Sequence, residues 1–295
     1  MTSRNGTRPR RSVVDLHTHT TVSDGRLSPE ELVRHAHAGG VRCLAVTDHD
    51  NTDGLPAAQA EAARLGMDLI PGIELSTELH GQSVHILGYF LRYQEPSFQE
   101  WLLPMRDDRV SRARRMVERL AELGYPVAWE RVLEIAGAGS VGRPHIAQAL
   151  LEAGHVGSIT EAFDRFIADG GPAYVERMKL SPQEAIAQVH RFGGVAAVAH
   201  PCDFPDVERM VAELAAAGVD GVETYYQGYG PQRIEFLLAL ARHYHLIPTG
   251  GSDYHGFPMG AASTVDNDPG AVYVPAEVVE RLRDRAGRYR LRASR

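Results

Sequence analysis

The chain has 295 residues, of which 43% are hydrophobic and 23% are charged, a composition typical of globular proteins with one large or two small domains. No run approaches about 18 consecutive apolar residues, the basic N-terminus lacks the apolar segment of a secretory signal, and two cysteines cannot build a disulfide framework, so we expect a cytoplasmic protein without a membrane span. The net charge is −7, and because residues 1–11 and 281–295 carry +4 and +6, residues 12–280 carry −17, which argues against long nucleic acid as a partner.

Short apolar runs alternate with amphipathic stretches in the first third of the chain. A helix is predicted to begin at Ser28 and Pro29, because serine is a preferred N-cap and proline fits the first helical turn. A second helix is predicted over 54–65. Strands are predicted at 13–17, 43–47, 69–74 and 83–88.

The middle of the chain reads as helical, with predicted helices at 105–123, 144–152 and 159–167 and no strand-like alternation. Strands and helices alternate again from Ser181, which is a second predicted N-cap. The later strands are predicted at 195–199, 221–224 and 246–250, and the later helices at 205–217 and 231–243.

Repeated strand–helix units with apolar strands predict a parallel sheet, and about seven strands favour a barrel over an open sheet. Neither common nucleotide-binding glycine motif is present. We predict a barrel from 12–96 and 175–275, interrupted by a helical insertion at 97–174 that covers the substrate. The ends are predicted as a disordered basic tail, 1–11, and a C-terminal helix with a basic tail, 276–295.

Imidazole and carboxylate side chains recur at or near the ends of these strands. His17 and His19 are two residues apart, so their side chains share one face of a strand. The carboxyl ends of parallel barrel strands meet at one mouth, where we expect nine such groups to converge. They are His17, His19, Asp24, His49, Glu74, His85, His200, Asp253 and His255.

Such a cluster is costly to bury without cations. Mixed imidazole and carboxylate ligands suit Mn²⁺, Fe²⁺ or Zn²⁺ better than Ca²⁺ or Mg²⁺, and nine ligands suit three ions if a carboxylate bridges. The alternative is a set of scattered surface histidines. Because five separate strand ends all carry His, Asp or Glu, we favour the metal site.

The ordered motifs resemble those of the PHP (polymerase and histidinol phosphatase) family: His17-Thr18-His19, Asp24-Gly25, Thr47-Asp48-His49-Asp50, Gly72-Ile73-Glu74, His85, Ala199-His200-Pro201 and Gly251-Ser252-Asp253-Tyr254-His255. The resemblance implies an α/β fold, a distorted (β/α)₇ PHP barrel with a trinuclear metal site. It assigns His17, His19, Glu74 and Asp253 to one metal. It assigns Glu74, His85 and His200 to a second, and Asp24, His49 and His255 to a third. It also implies a catalytic metal-bound hydroxide held by Glu74.

The helical insertion carries Gly142-Arg143-Pro144-His145 and resembles the branch of the family that contains nucleoside 3′,5′-bisphosphate phosphatases and 5′-to-3′ exoribonucleases of short RNA. On this basis we predict substrate contacts from a set of basic side chains. The set comprises Arg109, Arg112, Arg143, His145, Arg177 and Lys179, the last being the single lysine of the chain. For Arg109 and Arg112 the competing interpretation is that they belong to a solvated, arginine-rich face of a helix.

The expected reaction is release of the 3′-phosphate from a nucleoside 3′,5′-bisphosphate by a metal-activated hydroxide. Three alternatives stay open: a 5′-to-3′ exoribonuclease on short 5′-monophosphorylated RNA, a histidinol or other small phosphomonoester phosphatase, and a non-catalytic metal-stabilised module. The leaving-group acid is unassigned, with a metal-bound water and His145 as the candidates. The expected partners are a nucleotide or short RNA, and no membrane.

Overall fold

The computed structural model describes residues 12–137, 139–176, 178, 180–256 and 268–293. Seven strands form one sheet in which each strand pairs with its neighbours in sequence order. The strands are β1 (Val14–Asp15), β2 (Cys43–Val46), β3 (Asp68–Leu79), β4 (Gln82–Tyr89), β5 (Val195–Val198), β6 (Gly221–Tyr226) and β7 (Ile247–Gly251).

The two edges of the sheet meet between β1 and β7. The amide of Leu16 donates to the carbonyl of Gly250 at 3.2 Å, and Thr18 forms a parallel bridge with Tyr254. The sheet is therefore a nearly closed barrel, and the predicted seven-stranded α/β barrel with a helical insertion is confirmed.

The direction of β4 differs from the prediction. His80 and Gly81 join β3 to β4 with φ values of +52° and +78°, the conformation of a tight two-residue hairpin turn. β4 runs antiparallel to both β3 and β5, because a two-residue turn is too short for the crossover that a parallel neighbour requires. The prediction of a wholly parallel barrel is therefore wrong at β4, and His85 lies inside this strand instead of at its carboxyl end.

The helices surround the barrel and fill the insertion. Ser28 and Ser181 each cap a helix and form capping boxes with Glu31 and Glu184, as serine N-caps predict. The helices of the described residues are α1 (Pro29–Ala38), α2 (Leu55–Leu65), α3 (Pro96–Glu122), α4 (Trp129–Ala136), α5 (Arg143–Glu152), α6 (Ile159–Ala162), α7 (Pro182–Arg191), α8 (Val207–Ala216), α9 (Pro231–His243) and α10 (Glu277–Ala293).

The insertion differs from the prediction in three places. Helix α3 begins at Pro96, whereas the predicted helix begins at Met105. Helix α4 was not predicted, and the predicted helix 159–167 divides into α6 and a π-helical turn, Phe163–Ile167. The helices of the insertion share a separate apolar cluster that includes Met116, Ile146 and Phe166. The insertion therefore has a hydrophobic core of its own, separate from the apolar clusters of the barrel.

Alternating side chains of the barrel strands face two different apolar clusters. Leu44 and Val46 pack with the surrounding helices, whereas Cys43 and Ala45 pack in a cluster that includes Leu282 of α10. Helix α10 therefore closes one end of the barrel and leaves the other end for the metal-ligand residues. Across the described ranges, no helix combines the length and the hydropathy needed to cross a bilayer.

Asp220, immediately before β6, links α10 to the barrel through hydrogen bonds. Its fully buried carboxylate accepts hydrogen bonds from His190 (2.8 Å), Arg285 (2.6 Å) and Tyr289 (2.7 Å). Burial alone would raise the pKa of Asp220, but the hydrogen bonds from His190 and Tyr289 outweigh burial and lower it.

We expect Asp220→Asn to lower the free energy of unfolding by about 2 kcal/mol, because three partly buried donors, one of them a cation, lose their buried anion. Since the folded pKa is depressed, this contribution is complete above the ordinary carboxyl pKa of about 4 and is lost as the pH falls below it. Urea unfolding at pH 7 and at about pH 3 measures both effects, with the exposed Asp284→Asn as the control. An unchanged midpoint at pH 7 would contradict the assignment.

Candidate metal centre

Glu74 lies at the centre of the imidazole and carboxylate cluster and is 1% exposed. Its Oε2 lies 3.3 Å from His17 Nε2, 3.2 Å from His19 Nε2 and 3.0 Å from His49 Nδ1. Its Oε1 lies 2.8 Å from His85 Nδ1 and 3.1 Å from His200 Nε2. One carboxylate therefore faces five imidazoles from four separate parts of the barrel.

The remaining carboxylates complete the cluster. Asp253 Oδ1 lies 3.2 Å from His17 Nε2 and 3.1 Å from His19 Nε2. Asp24 lies 3.3 Å from His255 Nε2 and 3.7 Å from His49 Nε2. The structure thus brings all nine predicted ligand residues together at the open end of the barrel, including His85 from the antiparallel strand.

The cluster has the geometry of a set of metal ligands. In the described residues, His17 Nε2, His19 Nε2, His49 Nδ1 and Glu74 Oε2 are buried and make no hydrogen bond, although the three nitrogens lie 3.0–3.3 Å from the Glu74 oxygen. Neighbouring ligands of a cation with bonds of about 2.1 Å lie about 3.0–3.4 Å apart. Buried donor atoms that converge at these distances without hydrogen bonds fit divalent cations.

Three groups of residues place their ligand atoms within 4.8 Å of one another. They are His19, Asp24, His49 and His255; His17, His19 and Asp253; and His49, Glu74 and His85. These groups largely follow the three ligand sets that the family resemblance implies. His19 and His49, however, each belong to two of these groups.

The carboxylates of the cluster are held in their ionised form. Burial alone would raise the pKa of Glu74, but His49, His85 and His17 outweigh burial and hold it well below its ordinary value. Burial also disfavours charge on His19, yet Asp253 and Glu74 raise its pKa to about 10. By contrast, burial lowers the pKa of His85 to about 4. Glu74 therefore already has the ionised form that binds a cation, and so does the neutral ring of His85, whereas His19 would release its proton when a cation binds.

Polar residues that the sequence analysis did not select orient these side chains. Glu223 lies 3.1 Å from His17 Nδ1 and accepts the amide of His200 at 2.7 Å. The hydroxyl of Tyr226 donates to Asp253 at 2.8 Å. The sequence did contain one signal for Glu223, because it is an acidic residue inside the otherwise apolar predicted strand 221–224. Such partners fix which ring nitrogen faces a metal.

Three of the six non-glycine residues with positive φ among the described residues lie at the cluster. Asp50, His200 and Asp253 have φ values of +50°, +24° and +50°, which side chains other than glycine rarely adopt. Residues held in this region are commonly parts of functional sites. Here two of the three are members of the nine-residue cluster.

A cavity of about 220 Å³ joins the cluster to the insertion, and Arg109, Arg112 and Arg143 all line it. Arg109 donates to Asp50 (2.6 Å) and Ser76 (2.8 Å). Arg112 donates to the carbonyl of Val175 at 2.6 Å and lies over the ring of Tyr174. These contacts hold both guanidinium groups in place beside the cavity.

Arg143 pairs with Asp169 at 2.6 Å and is partly exposed. His145 lines a neighbouring cavity that also borders Asp24. Its Nδ1 accepts the amide of Gly142 at 2.9 Å, and burial lowers its pKa, so its proton is on Nε2 near neutral pH. The two other predicted substrate contacts, Arg177 and Lys179, lie outside the described residues.

Residues 15–245 match the PHP domain family. The chain is 37% identical over 249 residues to the 5′-3′ exoribonuclease Rnm of Salmonella typhimurium, covering 82% of this chain and 85% of that protein. It is 31% identical over 247 residues to the 3′,5′-nucleoside bisphosphate phosphatase of Chromobacterium violaceum, covering 82% and 87%. A solved protein from Bifidobacterium adolescentis described as a metal-dependent phosphoesterase has a TM-score of 0.83 at 31% identity, covering 94% of this chain and 97% of that one.

The barrel, its buried cluster of imidazoles and carboxylates and these similarities define a metal-dependent phosphoesterase. The chain belongs to the PHP family. The identity and number of the metal ions stay predictions.

Proposed function

We propose that the protein releases the 3′-phosphate of nucleoside 3′,5′-bisphosphates and leaves 5′-nucleotides. The observation that carries this proposal is the cavity in which three arginines stand beside the nine-residue cluster. A substrate with two phosphates would place one at the cluster and the other among the arginines. Guanidinium groups suit phosphate because they can donate two parallel hydrogen bonds. The phosphatase of C. violaceum named above supports the same substrate class.

Three divalent ions, with Mn²⁺ favoured over Fe²⁺ or Zn²⁺, would be held by the ligand sets of the sequence analysis. Such ions supply an activated water and neutralise phosphoryl charge. Other residues of the chain would orient the metal ligands and a substrate-binding arginine. Glu223 turns His17 Nε2 towards Glu74, Asp50 and Ser76 hold Arg109 at the cavity wall, and Tyr226 orients Asp253. The insertion, proposed at 97–174, would cover the bound nucleotide.

Arg143→Ala is expected to raise KM for adenosine 3′,5′-bisphosphate on the order of 10- to 100-fold, the effect of losing a hydrogen bond between charged groups. The rise for p-nitrophenyl phosphate, which has no second phosphate, should be small. Phosphate release by the Mn²⁺-loaded protein measures both values, and chromatography should identify 5′-AMP as the product.

The matched control is Arg165→Ala, which removes another arginine of the insertion. Arg165 pairs with Glu161 and does not line the cavity, so its loss should leave both KM values unchanged. Equal increases for the two substrates in Arg143→Ala would contradict a role for Arg143 in binding a second phosphate.

A second candidate is a 5′-to-3′ exoribonuclease of short 5′-phosphorylated RNA. The specific observation in its favour is that the side of the cavity formed by the segment after β5, which includes Asp203, is exposed to solvent. A nucleoside attached to the scissile phosphate could leave through this side. Relatives at 37% and 36% identity carry the exoribonuclease name. Comparing a 5′-phosphorylated RNA dinucleotide with the bisphosphate distinguishes the candidates by kcat/KM.

A further inference from the structure

Aromatic rings extend from the metal centre towards the surface beside β5 and β6. The ring of His200 lies 5.7 Å from that of Tyr226, and Tyr226 lies 5.0 Å from Tyr229. The guanidinium of Arg233, at the start of α9, lies over Tyr229 at 5.2 Å. These residues form a continuous aromatic path from a predicted metal ligand to an exposed arginine.

The far end of the path has a fixed orientation. The amide of Cys202 donates to the hydroxyl of Tyr229 at 3.1 Å, so the ring is tied to the segment that follows His200. Beside it is a shallow groove lined by Cys202, Phe204, Gly228, Gly230, Arg233 and Phe236. Phe236 is 36% exposed. A half-buried tyrosine next to an exposed phenylalanine and arginine offers flat surfaces on which a planar ring can stack.

The path lies across the barrel mouth from the arginines of the cavity. Arg109 is held by Asp50 and Ser76, which follow β2 and belong to β3. The aromatic path belongs to β6 and the segments after β5 and β6. In a seven-stranded barrel whose strands are ordered β1 to β7, these positions are on opposite sides. A nucleic acid bound with its 5′-phosphate at the arginines and its scissile phosphate at the cluster would direct its next nucleoside along the path.

We propose that Tyr226, Tyr229, Arg233 and Phe236 form a binding site for the nucleosides on the 3′ side of the scissile phosphate of a short single-stranded RNA. This proposal rests on the second candidate function above. Stacking on aromatic side chains and arginine is a general means of binding single strands without base preference. The site would therefore serve an RNA substrate and remain unused by a nucleoside bisphosphate, which ends at the scissile phosphate.

The charges along the path agree with a short substrate. Asp203 is exposed but is paired with His200 at 2.9 Å, and the nucleoside after the scissile phosphate of a dinucleotide carries no charge for it to repel. A third nucleotide would bring a phosphate towards Arg233. Longer strands would meet the acidic body of the chain, −17 over residues 12–280.

The kinetic test compares Tyr229→Ala with the wild type, both loaded with Mn²⁺. We expect kcat/KM for a 5′-phosphorylated RNA dinucleotide to fall on the order of 10-fold, the effect of losing one base stack, and kcat/KM for adenosine 3′,5′-bisphosphate to stay unchanged. Tyr229→Phe keeps the ring and should behave as the wild type. Tyr273→Ala removes a tyrosine that is 69% exposed elsewhere and should have no effect. Equal falls for both substrates in Tyr229→Ala would overturn the proposal.

A binding measurement separates this proposal from the proposed functions. A 5′-phosphorylated dinucleotide with a non-hydrolysable methylenephosphonate linkage carries 2-aminopurine as its second base, and Zn²⁺-loaded protein is added. Fluorescence should be quenched by the wild type and Tyr229→Phe but not by Tyr229→Ala. Quenching of this kind supports the site even if neither substrate turns over, a result that would remove the proposed functions. Equal fluorescence with the wild type and Tyr229→Ala would overturn the site even if both substrates turn over.

Discussion

Glu74→Gln is expected to lower kcat/KM for phosphoester hydrolysis by about 10³-fold or more. The substitution keeps the shape of the side chain but removes the charge that faces five imidazoles at 2.8–3.3 Å. An amide also cannot bridge two cations through two equivalent oxygens. We therefore expect at least one ion per chain to be lost, which elemental analysis of the dialysed protein measures together with phosphate release.

Glu78→Gln is the matched control for this experiment. Glu78 lies on the same strand, four residues further along β3, and outside the three groups of ligand atoms. We expect it to keep its metal content and its rate. If Glu74→Gln retained the metal content and the activity of the wild type, the bridging assignment of Glu74 would be wrong.

The second large effect is expected from Gly251→Ala, at a residue with no ligand atom. Gly251 ends β7 against β1, and a Cβ there would lie 2.5 Å from the backbone nitrogen of His17 and 2.8 Å from Asp15 Oδ1. These atoms belong to backbone and to a buried side chain, so β1 must shift. A displacement of about 1 Å in a catalytic group can cost about 100-fold in rate, and we expect losses of that order in kcat together with weaker metal binding.

Substitutions at two other glycines serve as controls that distinguish displacement of the metal centre from a general loss of stability. Gly221→Ala would place a Cβ 2.8 Å from the carbonyl of Ile247, at the start of β6, away from the cluster. It should destabilise the barrel by about 1–3 kcal/mol, as overpacking does, while metal content is kept. Gly287→Ala meets no atom within 4 Å in α10 and should stabilise the protein by up to about 1 kcal/mol. Normal metal binding by Gly251→Ala would contradict the expected shift of His17.

The sequence was sufficient to select the nine cluster residues because their spacing carries geometric information. His17 and His19 are two apart on a strand, and Asp253 and His255 have the same separation after another. Side chains at the ends of parallel strands meet in space even when they are far apart in the chain. Serine followed by proline likewise predicted the starts of α1 and α7, because an N-cap and the first helical turn are local features.

Other features depend on information that a local pattern does not contain. The turn at His80 and Gly81 lacks the Asn-Gly or Asp-Gly pair that signals a hairpin, so the reversal of β4 was missed. Glu223 was read as part of an apolar strand, although its contact with His17 joins residues 206 positions apart. The pairing of Arg109 with Asp50 is likewise set by the packing of the insertion on the barrel, and the pairing of Arg143 with Asp169 by packing within the insertion.

The closure of β1 on β7 affects the order in which this protein can mature. Leu16 bonds to Gly250, and the ring of His19 stacks on that of His255 at 4.1 Å, so the cluster is assembled from both ends of the barrel sequence. During translation the first histidines leave the ribosome long before their partners exist. Contacts of such wide sequence separation close late in folding. A ribosome-bound chain that stops before residue 250 would therefore contain most of the ligands but no complete centre, and metal capture would belong to the final step of synthesis.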